Sequence, residues 1–286
     1  MAQALLNGLV SGFLIALPAI ALSLIYGILN FANFSIGAMI TLGAYLAYFA
    51  NATLGAPIII AAPVAAVALG AIAVGIQHGV YSRVRAADHV TLLVASMGVA
   101  FVLENAIRFI YGADVRALDV PVARPLSWHG LRLNHEQLVI ALAALSAMAI
   151  VAVMLTRTRL GRAMRAIADD ADLAEVRGIA RARTVDWTWA VSGALTALAG
   201  VLIALDGTVE PLIGMNYLVS VFAAAVIGGI GNPFGAVAGA LIIGVVEEVS
   251  ALAVSTTYRQ GISFIVLILV LLLRPQGLLG VARIRR

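Results

Sequence analysis

The sequence predicts an all-α, polytopic membrane protein, and three observations predict it. Of its 286 residues 63% are hydrophobic, whereas soluble domains are roughly 45–50% apolar. Several uncharged stretches approach the ~20 residues that a helix needs to cross a bilayer core. Charge, only 11% of the chain, is concentrated: residues 161–184, GRAMRAIADDADLAEVRGIARART, carry nine charged side chains.

Hydropathy and punctuation mark candidate spans at 5–28, 34–50, 57–80, 89–111, 136–155, 185–205, 217–230, 234–254 and 260–273. The second, seventh and ninth are short, so about eight to nine transmembrane helices are expected. The opening MAQALLNGLVSGFLIALPAI lacks a positive n-region and reads as a first span, not a cleaved leader. Pro18 and Pro63 fall inside spans, where each removes a backbone hydrogen bond. A broken first span is therefore expected. The longest polar connection, 156–184, is too short for a core of its own, so residues 1–286 read as a single transmembrane domain.

Arginine placement orients the spans. The 156–184 connection holds Arg157, Arg159, Arg162, Arg165, Arg177, Arg181 and Arg183. Arg83 with Arg85, and Arg274 with Arg283, Arg285 and Arg286, mark two further basic ends. The positive-inside rule places all three in the cytoplasm and the N-terminus outside. The loop 112–135 is then external, although it contains Arg116, Arg124 and Arg132.

Composition also excludes chemistry. Without Cys there are no disulfides or thiolate metal sites. Every cationic side chain is Arg, so a P-loop, which needs Lys at the phosphates, is excluded. His78, His89, His129 and His135 lack ligand spacing, and neither a metal site nor an enzyme active site is expected. The net charge of +4 follows from span ends and does not point to nucleic acid. GGIGNPFG (228–235) reads as a tight turn between two spans. Gly235 with Gly239, and Gly8 with Gly12, read as small-residue packing stripes.

Within 161–184, Asp169, Asp170 and Asp172 precede a short run that ends at Gly178. Asp172 and Glu175 have capping-box spacing, and Gly178 suits a left-handed helix end. A helix near 170–177 is predicted, with Leu173 and Val176 on one face and Ile179 extending it. So short a helix is unstable alone. It lies either on the protein's own surface, in the headgroups, or against a cytoplasmic partner.

AEVRGI followed by RARTVDWTWAVSGALTALAGVLIAL resembles the cytoplasmic loop and next span of branched-chain amino acid ABC transporter permeases. YGILNFANFSIGAMITLGAYLAYF, TLLVASMGVAFVLENAIRFIYG and FAAAVIGGIGNPFGAVAGALIIGVVEEV are similar to further segments of that family, in its order. The resemblance implies a bacterial inner-membrane subunit that does no chemistry itself. It implies two cytoplasmic ATP-binding subunits, a second homologous permease and an external substrate-binding protein as partners. It assigns docking on an ATP-binding subunit to Asp170, Leu173, Glu175, Val176, Gly178 and Ile179. One departure stands out: the family's Asn-Phe-Ala-His-Gly is here Asn30, Phe31, Ala32, Asn33, Phe34. Urea or short amides, carried by relatives on the same frame, are the alternative substrates.

Polar or small groups in apolar spans mark the expected substrate path: Tyr26, Asn30, Asn33, Ser96, Gly98 and Asn105. Each could equally bond between helices. Glu104 and Arg108 are spaced to pair on one helix face. Glu247 and Glu248 have no Arg at helical spacing, and at least one is expected to meet a wet cavity or an interhelical partner. In a rival reading, an ion-coupled secondary transporter, Glu104 and Glu247 or Glu248 would be the coupling carboxylates. Replacing Glu247 and Glu248 by Gln should leave ATP-driven uptake intact in vesicles. Uptake that collapses when the proton gradient is dissipated would favour the rival.

Overall fold

Residues Ala2–Leu29 form one continuous helix, α1, that runs through Pro18 without a break. The computed structural model describes residues 1–84, 88–120, 126–128, 131–252, 259–274 and 276–279. The expected break of the first span is thus corrected. Pro18 deprives the Leu14 carbonyl of its helical partner, but α1 is buried against neighbours along most of its length, where such a gap is tolerated, and the helix continues across it. The interruption comes later, at residues 30–34. There Asn30 takes a left-handed conformation (φ 54°), which Asn tolerates better than most residues.

The remaining elements follow in order. Helix α2 (Ser35–Tyr48) continues into a π-turn (Phe49–Thr53). Helix α3 (Ile58–Ile76), which also runs through its proline, Pro63, continues into a second π-turn (Gln77–Tyr81). Helix α4 spans His89–Tyr111. A two-stranded antiparallel hairpin, β1 (Leu126–Trp128) and β2 (Leu131–Leu133), pairs Ser127 with Arg132. This hairpin is an exception to the all-helical expectation. Helix α5 (His135–Arg157) starts at a reciprocal cap between Asn134 and Gln137. Helices α6 (Arg159–Asp169) and α7 (Ala171–Val176) form a corner before α8 (Arg181–Asp206). Helices α9 (Ile213–Gly228), α10 (Pro233–Ser250) and α11 (Arg259–Leu273) complete the chain.

Among the described residues seven helices are long and apolar enough to cross a membrane; α9 and the apolar part of α11 are shorter. The protein is therefore a polytopic helical membrane protein. Helices α1, α2 and α8 are central, whereas α3, α4 and α5 turn much of their surface outward. That outer surface is apolar, with Val67, Phe101, Phe109, Leu142 and Ile150 exposed, as lipid contact requires.

Lipid tails are as apolar as the helices, so burial alone cannot hold the bundle together; close backbone packing must. Glycine supplies it at nearly every major seam. A Cβ on Gly8 would lie 2.7 Å from Val245 Cα in α10, and one on Gly12 would lie 3.0 Å from Leu241 Cα. A Cβ on Gly43 of α2 would lie 2.5 Å from Ala197 Cα in α8. Gly235 and Gly239 bring α10 onto Gly228 and Ala224 of α9. Both expected small-residue stripes are seams of this kind. The Asn-Pro pair is a helix start: Asn232 Oδ1 accepts from the N–H groups of Phe234 (3.1 Å) and Gly235 (3.2 Å), with Pro233 in the first turn.

The seams predict a contrast between glycines. Gly43→Ala should overpack α2 on α8 and destabilise by about 1–3 kcal/mol. Gly75→Ala, in α3 with nothing within 4 Å of the added carbon, should be neutral or stabilise by up to about 1 kcal/mol. Thermal unfolding of the two variants in detergent checks the sign of each.

Candidate functional site

The 156–184 connection folds as two helices joined at Asp170, whose backbone is extended, and α6 was not anticipated. Gly161, Met164 and Ile167 recur at three-residue spacing and are buried, with Arg162 and Arg165 on the opposite side. That periodicity was present in the sequence but hidden by the density of charge. The start of α6 packs against the end of α5. Thr158 Oγ1 accepts from Gly161 N–H (3.1 Å), and the Arg165 guanidinium donates to the Leu155 carbonyl.

The short helix expected near 170–177 is α7, though its cap differs. Asp170 Oδ1 accepts from the N–H groups of Asp172 (3.1 Å) and Leu173 (3.0 Å), so Asp170 is the N-cap. The expected Asp172–Glu175 capping box is corrected: Asp172 already lies inside the helix, leaving Glu175 too far along to reach back. At the other end Gly178 takes φ 84°. Its N–H bonds Glu175 O (2.9 Å), and Ile179 N–H bonds Ala174 O (3.0 Å), the paired bonds of a Schellman motif.

The two faces of α7 then separate. Ala174 is buried, and Ile179 packs half-buried against the core. Leu173 is 53% exposed and Val176 is 85% exposed. Ile179 therefore does not extend the outward face, because the left-handed turn at Gly178 sends the chain back inward. Leu173, Glu175 and Val176 remain on an outward surface.

Beside this corner lies the α1–α2 junction. Asn33 Oδ1 accepts from the Ser35 N–H (3.1 Å) and the Ser35 hydroxyl (2.7 Å), and the Tyr81 hydroxyl lies 3.2 Å from it. All three residues are buried. The wider spacing of the second π-turn turns both Gln77 and Tyr81 inward. Tyr81 stacks on Trp189 of α8, with centroids 4.7 Å apart, and lies against Phe31. Ser96 of α4 accepts from Phe34 N–H (3.0 Å), and the Phe34 ring stacks on Phe222 of α9 at 4.7 Å. Sequence reasoning missed Gln77, Tyr81 and Trp189, since nothing local announces a π-turn.

The expected path residues divide into three places. Asn33 and Ser96 meet at the junction, with Asn30 beside them at the end of α1. Half-buried Tyr26 sits near Gly231 in the α9–α10 turn. Gly98 and Asn105 lie on the exposed face of α4, where Asn105 donates to the Phe101 carbonyl of its own helix (2.8 Å). Within one copy of this chain the six do not line a continuous channel.

The intramembrane carboxylates are satisfied. Glu104 pairs with Arg108 at 2.8 Å. Glu247, buried, accepts from the hydroxyls of Ser220 in α9 (2.5 Å) and Ser263 in α11, and Glu248 accepts from Ser11 in α1 (3.4 Å). Each of the latter two therefore has an interhelical partner. At the opposite end, Arg116 donates to the Tyr48 hydroxyl (3.1 Å) and the Tyr111 carbonyl (2.9 Å). The Tyr48 hydroxyl holds its guanidinium pKa above even the usual arginine value, so Arg116 stays cationic. No cluster of potential metal ligands occurs among the described residues.

Residues 4–271 match the family model described as branched-chain amino acid transport system / permease component. The chain belongs to this permease family. It is 32% identical to the high-affinity branched-chain amino acid transport system permease protein BraD of Pseudomonas aeruginosa, over 97% of this chain and 95% of that protein. It is 33% identical to LivH of Salmonella typhimurium over the same shares. Among solved structures, PsaBC from Streptococcus pneumoniae in complex with Fab matches with a TM-score of 0.53 and 11% identity, over 94% of this chain and 91% of that one. That likeness extends to the fold alone. As a permease-family member the chain is a transport component, not an enzyme.

The departure at Asn33 and Phe34 has a structural account. The amide caps the start of α2 and collects the Tyr81 and Ser35 hydroxyls, while the phenyl ring fills the gap toward α9. Asn33→Ala should leave two buried hydroxyls short of an acceptor and cost about 1–3 kcal/mol. Tyr81→Phe in that background should cost less than it does alone, because its partner is already gone. A double-mutant cycle on thermal unfolding reads the difference.

Proposed function

We propose that this chain is the membrane-spanning permease subunit of an ATP-driven importer of branched-chain amino acids. The observation that carries the mechanistic part of this reading is α7. It is fixed at both ends by Asp170 and Gly178, yet turns Leu173 and Val176 away from the rest of the chain. Two large apolar side chains on a rigid two-turn helix are suited to a groove on another protein. With no Lys for a P-loop, that protein supplies ATP hydrolysis.

In this reading α6, α7 and the arginine-rich ends face the cytoplasm, and the N-terminus and the 112–135 loop face outside. Two cytoplasmic ATP-binding subunits close on ATP and push on α7. A second homologous permease completes the path, and an external binding protein delivers substrate. The outward position of Gly98 and Asn105 on α4 supports a shared path, because polar or small groups on that face could meet substrate only across a subunit boundary. Alternating access follows when movement of the corner opens one end of that boundary and closes the other.

Two further observations favour this reading over its rivals. Asn33 is buried, with its Oδ1 engaged by Ser35 and Tyr81 inside the fold, so the replacement of the family's usual His gives no support to a switch toward urea or amides. The pairing of Glu104 and the hydroxyl contacts of Glu247 and Glu248 account for the carboxylates without an ion-coupling role.

Val176→Asp should reduce co-purification of the ATP-binding subunit and ATP-driven uptake by at least about tenfold, since it places a charge in a desolvated groove. Gly178→Pro should do the same, because proline cannot adopt φ 84°. Both variants should still insert in the membrane at normal levels. Normal association in both would exclude α7 as the docking element.

A further inference from the structure

Between the α1–α2 junction and the α6–α7 corner lies a cavity of about 450 Å³, within the size range of small-molecule sites. We infer that this cavity is a cytoplasm-facing binding site for a zwitterionic α-amino acid with an aliphatic side chain, whose occupancy inhibits transport by immobilising α7. The inference rests on the proposed orientation and on the proposed substrate class only as the source of the ligand. Its chemistry is read from the walls.

The polar wall carries both signs of charge. Asp169 and Asp170 line it from the corner, and Arg181 lines it from the start of α8. Asp170 uses Oδ1 for the α7 cap, and Oδ2 takes no part in it. Among the described residues no salt bridge joins Arg181 to either aspartate, and the buried Arg181 Nε has no hydrogen-bond partner. Gln77 enters from the π-turn. It is 4% exposed, and its Oε1 is buried without a partner.

The charged lining defines a ligand. The Arg181 guanidinium calls for a carboxylate, and the two aspartates call for an ammonium group. Ile28, Leu92 and Ile167 supply an apolar wall for an aliphatic tail. A ligand with both charges on one carbon and a hydrocarbon side chain meets all three demands.

The position supplies the regulation. Ala168 to Ala171, also in the lining, form the step between α6 and α7. A ligand held by Gln77 and Arg181 on one side and by the aspartates on the other ties that step to α3 and α8. The docking helix then loses the freedom that the transport cycle requires, and accumulated product slows its own import.

The test uses the complete importer in proteoliposomes with the ATP-binding subunits facing the added solution. L-leucine added on that side should lower ATP hydrolysis at least fivefold at saturation. N-acetyl-L-leucine and L-leucinamide, each lacking one charge, should be at least tenfold weaker. Gln77→Leu should raise the inhibitory concentration at least tenfold with uptake unchanged. Arg181→Gln gives the same reading if Gln77→Leu fails to assemble, and the analogue comparison needs no variant. Absence of inhibition, equal potency of the analogues, or unchanged inhibition in the variant would overturn the inference. Import of leucine without inhibition removes the cavity site alone; inhibition without import retains the site and removes the proposed substrate.

Discussion

Helix-to-helix contact at backbone distance is the constraint on which the rest of this structure depends. In a bilayer the backbone must satisfy its own hydrogen bonds, so helices form early and independently. What remains is to hold them together where the hydrophobic effect offers little. Gly8, Gly12, Gly43, Gly235 and Gly239 do this by letting one backbone approach another where even a methyl group would collide. The polar contacts between helices, such as Glu247 with Ser220 and Ser263, then set register within a bundle that packing has already brought together.

Close packing at the centre also determines where irregular backbone can exist. The break between α1 and α2 and the π-turn at Gln77–Tyr81 both occur where neighbouring helices cover them. Asn33, Ser35 and Tyr81 bond one another there, and Trp189 closes the node from α8. The same arrangement brings the end of α3, the end of α1 and the start of α8 to one place. The α6–α7 corner seats against that place, so α7 is connected to the centre of the bundle through few intermediates.

Much of the fold was legible in the sequence because hydropathy and end signals are local. The spans near 5–28, 57–80, 89–111, 136–155 and 185–205 correspond to α1, α3, α4, α5 and α8 within a few residues. Gly178 announced its left-handed turn, and Asn232-Pro233 its helix start. Less of the site was legible. The cap of α7 was assigned to Asp172 instead of Asp170, since three closely spaced aspartates offer the same local chemistry and only the path of the chain selects one. Ile179 was placed on the wrong side for the same reason: a periodic face ends where the backbone turns left-handed.

By itself, then, the sequence determined the membrane class, the helical spans, the small-residue stripes and the short helix α7 with its left-handed end at Gly178. Each of these depends on residue type at short range. Tertiary structure alone decided that Pro18 would be tolerated, that Asn33 would be a structural acceptor, and that Gly98 and Asn105 would face away from Ser96. It alone brought Gln77, Asp169, Asp170 and Arg181 to one cavity. Those outcomes depend on which helix lies beside which, and residues about a hundred positions apart meet only after glycine-lined seams have chosen the neighbours.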